Sequence, residues 1–105
     1  MSALSDKVAE IEAEMKRIGY WSTDTPPSTD HAKLYSGVSF ENWLQFVFLP
    51  AVRTASVSGD FSLVPPYRVG LCAMRNYDYH DVVPEAKQLM DYCWQLENLL
   101  EGRFV

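Results

Sequence analysis

The chain has 105 residues, room for one domain and not for two. Hydrophobic residues make up 48% and charged residues 22%, a globular composition that excludes intrinsic disorder. The formal net charge of −5 excludes the basic footprint with which a protein binds nucleic acid unaided.

That charge is unevenly spread. Residues 1–30 hold three Lys/Arg against six Asp/Glu, residues 31–75 four against two, and residues 76–105 two against six. The weakly basic middle is either a solvated surface or a face for an acidic partner. No run approaches the ~18 apolar residues of a membrane span. Residues 1–6 lack the basic and apolar regions of a signal peptide, so a cytoplasmic location is expected. Cys72 and Cys93 make neither a disulfide framework nor a zinc spacing, and buried free thiols are expected.

Leu4, Val8, Ile11, Met15 and Ile18 recur at spacings of 4, 3, 4 and 3, which predicts a first helix with one apolar stripe. Ser2 or Ser5 suits its N-cap, and Glu12 and Lys16 form an i, i+4 pair. Glu10, Glu12 and Glu14 fall on the expected solvent side, a solvated face and not acid–base machinery. Gly19 suits the left-handed residue past the helix end, folding Tyr20 back onto Met15.

A long loop follows, Ser22 to Val38, with Asp24, Pro26 and Pro27 opposing helix. Trp21, Leu34 and Tyr35 are its expected anchors to the core. Ser39 is a good N-cap for a second helix that is apolar nearly all round, from Phe40 to Leu49. Trp43 and Phe46 cannot share one stripe comfortably; either the long loop covers them or one lies at an interface. Pro50 predicts a kink, with helix continuing to Gly59. A third helix is expected from Pro65 or Pro66, with Tyr67, Leu71 and Met74 inward. The fourth starts near Val83–Pro84 and carries Ala86, Leu89, Cys93, Leu96 and Leu100, widened by Met90, Trp94 and Leu99, and ends at Gly102. With no alternating strand pattern, the expected class is all-α: a four-helix bundle-like single domain with a long loop between helices 1 and 2.

Catalytic signatures are missing. His31 stands beside Asp30, and His80 within Asp78-Tyr79-His80-Asp81, but neither has a second ligand group for a metal. The five glycines are scattered and form no phosphate cradle, and serines sit in caps and turns. Neither a cofactor nor an enzymatic activity is expected. The aromatic load, three Trp, six Tyr and five Phe, suits binding hot spots as well as cores.

Phe40-Glu41-Asn42-Trp43-Leu44-Gln45-Phe46-Val47-Phe48-Leu49-Pro50, with Arg53 beyond, resembles the central helix of the YqcC-like family. Trp21, Leu34-Tyr35 and Phe61-Ser62-Leu63-Val64-Pro65-Pro66-Tyr67 are similar to its other landmarks, so the resemblance spans nearly the whole chain. One departure is Arg68, where the family usually carries an acidic residue after the proline–tyrosine element. The resemblance implies a helical bundle. It also implies an association with tRNA pseudouridine synthase C, beside which members are commonly encoded. The family provides no catalytic aspartate to carry over, and a chain of this length is expected to be too small for such a synthase. The favoured expectation is a non-catalytic accessory protein docking on a protein partner through Trp43, Arg53, Tyr67 and Arg68. The alternative is a small-molecule or enzymatic bundle with an interhelical pocket bounded by Trp21, Trp43 and Tyr67.

Overall fold

In the computed structural model, residues 3–23, 39–79 and 82–101 are described. Four helices carry the fold, and no strand occurs among the described residues. Helix α1 is Ala3–Arg17. Helix α2 spans 40–58 and is continuous through three segments: an α turn Phe40–Trp43, a π-helical stretch Leu44–Phe48 and an α segment Leu49–Ser58. Helix α3 is Val69–Tyr77, and α4 is Lys87–Leu100, entered through a 3-10 turn at Pro84–Ala86. Helix α1 packs against α4 and the C-terminal part of α2, and α3 packs against α4. The expected bundle of apolar stripes is therefore present.

The outer helices follow the periodicity. Leu4, Val8, Ile11 and Met15 of α1 are buried, as are Leu89, Cys93, Leu96 and Leu100 of α4, with Ala86 just before it. Gly19 adopts φ 81°, while its amide donates to Lys16 O and that of Tyr20 to Met15 O at 2.8 Å. This pair of bonds is a Schellman closure, which a Cβ-bearing residue at Gly19 would strain. Ser39 caps α2 as expected, its Oγ accepting from the Asn42 amide at 3.1 Å.

The structure adds detail to the expectation at Pro50 and corrects those for α3 and α1. Helix α2 meets Pro50 by a change of register: the Leu49 amide donates to Leu44 O, five residues back. A π turn absorbs the proline that would otherwise crowd the preceding turn, and the helix runs on to Gly59 at φ 79°. Helix α3 starts at Val69 and not at either proline, because Pro65 and Pro66 lead into an extended Arg68 at φ −79°, ψ 93°. Its buried residues are consequently Val69, Gly70, Cys72, Ala73 and Tyr77, while Leu71 and Met74 are only half-buried. On α1, Glu14 is buried and not solvent-facing, with Arg17 Nε donating to it at 2.8 Å. Glu12 pairs with Arg53 of α2, and Lys16 lies over the Trp21 ring. Ser2, the loop residues Asp30, His31, Leu34 and Tyr35, the His80–Asp81 pair and Gly102 lie outside the described residues.

Candidate functional site

Trp43 sits at the centre of the fold with no accessible surface. It stacks on Phe48 at 4.8 Å between ring centroids and takes Tyr67 edge-on at 5.6 Å. A side chain so enclosed cannot be a surface anchor, and the docking role expected of Trp43 is corrected to one of support. Tyr67 packs directly against it, so these two rings meet where a pocket between Trp21, Trp43 and Tyr67 is expected.

Gln45, two residues on, is buried too, which for an amide requires partners. Its Oε1 accepts from the Ser22 amide at 2.8 Å, and its Nε2 donates to Ser22 O at 2.7 Å. The Trp-Leu-Gln run thus works inward: Trp43 and Leu44 fill the core, and Gln45 holds the chain leaving α1 onto α2.

The accessible counterpart lies between residues 66–68 and the C-terminal half of α4. The Tyr67 amide donates to Pro65 O at 2.8 Å, a three-residue turn that a proline at its centre favours. This turn sets Tyr67 with one edge on Trp43 and leaves it 37% exposed. Arg68 follows as the N-cap of α3 and offers no side-chain cap. Glu97 of α4 supplies one: its Oε1 accepts from the Leu71 amide at 3.2 Å, and its Oε2 accepts from Arg68 Nε and Nη2 at 3.1 and 3.0 Å. Glu97 thus brings a carboxylate to the start of α3 across space, where an anion meets unpaired amides wherever it originates. The Arg68 guanidinium also lies 6.0 Å from the Trp94 ring centroid.

Gly70 makes this arrangement sterically feasible. A Cβ there would stand 2.6 Å from Trp94 Cδ2 and 2.7 Å from Trp94 Cα, so only glycine lets α3 approach α4 this closely. The result is an open groove of ≈ 470 Å³ bordered by Pro66, Tyr67, Arg68, Trp94, Glu97 and Glu101, among others. Of the four residues expected at a docking surface, the structure brings Tyr67 and Arg68 together here. It leaves Arg53 apart, half exposed on α2 and paired with Glu12. Trp94, Glu97 and Glu101 were not singled out from the sequence as surface residues. The i, i+3 spacing of Trp94 and Glu97 was the only available signal.

The buried phenol and thiols are held in their protonated forms at neutral pH. Tyr77 donates to Glu41 Oε2 at 2.9 Å, and burial, aided by that carboxylate, drives its phenol well above the usual range. Burial likewise raises the thiols of Cys72 and Cys93, both free. Such thiols stay protonated and are poor nucleophiles. Among the described residues no three His, Cys, Asp or Glu side chains cluster to hold a metal ion. No helix among them is long and apolar enough to cross a membrane.

No curated protein and no solved structure matches the chain. A family model described as DUF446, tRNA pseudouridine synthase C, matches residues 3–99. The match runs from the start of α1 almost to the end of α4, and the chain therefore belongs to the DUF446 family.

Proposed function

We propose that this protein is a non-catalytic, YqcC-like accessory module that docks on a tRNA pseudouridine synthase of class C. The observation that carries the reading is the groove itself, where Tyr67 is held partly exposed beside Arg68 and Trp94. Aromatic and arginine side chains dominate the energetics of protein interfaces, and a prebuilt cleft spares the cost of ordering them. The description of the family supports this choice of partner. The net charge of −5 divides the labour: the synthase grips the RNA in the cytoplasm, and this protein contacts the synthase.

The test is calorimetric titration of the purified protein into a class C synthase, alongside a pseudouridylation assay on tRNA. The reading expects a saturable one-to-one complex and an altered modification rate. Absence of heat, of co-elution and of any rate change would overturn it.

A further inference from the structure

The chemistry of the groove selects among protein partners. Its border carries one cation, Arg68, and two carboxylates, Glu97 and Glu101. Arg68 and Glu97 already neutralise one another through two hydrogen bonds. Glu101, exposed just past the end of α4, makes no ion pair among the described residues. The groove therefore presents one uncompensated negative charge next to two aromatic side chains, Tyr67 and Trp94. Residues 76–105 carry six Asp/Glu against two Lys/Arg, so the surrounding field has the same sign.

Arg68 shows what such a setting holds. Its guanidinium is placed against an aromatic ring, at 6.0 Å from the Trp94 centroid, and is bonded to a carboxylate at the same time. Tyr67 and Glu101 line the same groove and offer that pair of chemical features again. A planar, weakly hydrated guanidinium gains from both features together, more than an ammonium does.

We propose that the groove receives an arginine side chain of the partner, its guanidinium meeting the Tyr67 ring and the Glu101 carboxylate. This rests on the docking reading above and names the chemistry of its occupant. An enzyme that neutralises RNA phosphates exposes Lys and Arg side chains, so the inferred partner is of the class that presents this group.

The experiment is NMR titration of the full-length, isotope-labelled protein with the capped tripeptide Ala-Arg-Ala, and with the same peptide carrying citrulline, which keeps the shape and removes the charge. The expected result is saturable shifts at the Trp94 indole and the Glu101 amide with the arginine peptide, about threefold weaker with citrulline and about threefold weaker in Glu101→Gln. Equal response to both peptides, shifts centred away from the groove, or no change in Glu101→Gln would overturn the proposal. The synthase separates the two levels of the argument. If it binds wild type and Glu101→Gln with equal affinity, the arginine site fails while the docking module stands. If it binds neither while the peptide binds as described, the docking reading fails and the arginine site stands.

Discussion

The seam where α2 meets the chain leaving α1, and the face where α3 meets α4, are both rich in aromatic side chains, yet they are built in opposite senses. At the seam, Trp43 has no accessible surface and Gln45 spends both ends of its amide on Ser22. At the α3–α4 face, Tyr67 and Trp94 keep part of their surfaces open, and the polar groups around them are charged. The seam turns its chemistry inward, with Gln45 bonded to Ser22 at both ends of its amide. The groove has capacity left over. The residues most distinctive in the sequence therefore build the interior, and plainer ones build the surface available to a partner.

Substitutions at the two regions sharpen this contrast. The largest effect is expected at the seam: Trp43→Ala removes a fully buried indole and costs about 3–5 kcal/mol, measured by urea denaturation. Gly70→Ala attacks the other region. The new Cβ meets the Trp94 backbone as well as its ring, so no rotamer change relieves it, and a loss of about 1–3 kcal/mol is expected with the groove distorted. Gln45→Met keeps the volume and removes the two bonds to Ser22, for a loss of about 1–3 kcal/mol. Amide hydrogen exchange localises that damage: protection at Ser22 falls, while α3 and α4 are unaffected. A uniform loss of protection would show the seam to be no separate unit.

Smaller effects follow from titration and from the surface pair. Tyr77 has a raised folded-state value, so its contribution is fully present below the unfolded tyrosine value and is lost as pH rises beyond it. Tyr77 alone should contribute a decline of roughly 1.4 kcal/mol per pH unit above about pH 10, and Tyr77→Phe should lessen the alkaline slope by that amount. The opposite sign holds for Glu14, whose carboxyl the Arg17 hydrogen bond pulls below the ordinary range. Its contribution is present above the unfolded carboxylate value and fades as pH falls through the folded one. The smallest change is expected for Arg68→Ala, at most about 1 kcal/mol, since Arg68 is largely exposed and Glu97 still caps α3 without it.

How far the sequence could be read follows the same division. The spacing of Leu4, Val8, Ile11 and Met15, and of Leu89, Cys93, Leu96 and Leu100, identifies two helices and their buried faces, because one-sided burial writes itself as a period. Ser39, Gly19 and Gly59 mark helix ends through local chemistry. Helix α2 resists such reading, since an all-round apolar run does not say which ring is innermost, and Trp43 looks as suitable for a surface as Phe46. The π turn before Pro50 depends on which carbonyl the Leu49 amide finds and leaves no residue pattern. The groove is least legible of all. It depends on contacts between residues 29 and 26 positions apart, Arg68 and Leu71 with Glu97, and on the missing Cβ of Gly70. Side chains brought together from distant segments carry no local signature.

The docking proposal places a class C synthase in the α3–α4 groove and not on the α1–α2 face. The most direct measurement compares Asn98→Trp, which fills the groove from an exposed position on α4, with Arg53→Ala, which removes the cation on the other face. Both are titrated into a class C synthase after circular dichroism confirms their folding. At least a tenfold loss of affinity, about 1.4 kcal/mol, is expected for Asn98→Trp and wild-type affinity for Arg53→Ala. Wild-type binding by Asn98→Trp together with loss in Arg53→Ala would contradict it and move the docking surface to the α1–α2 face.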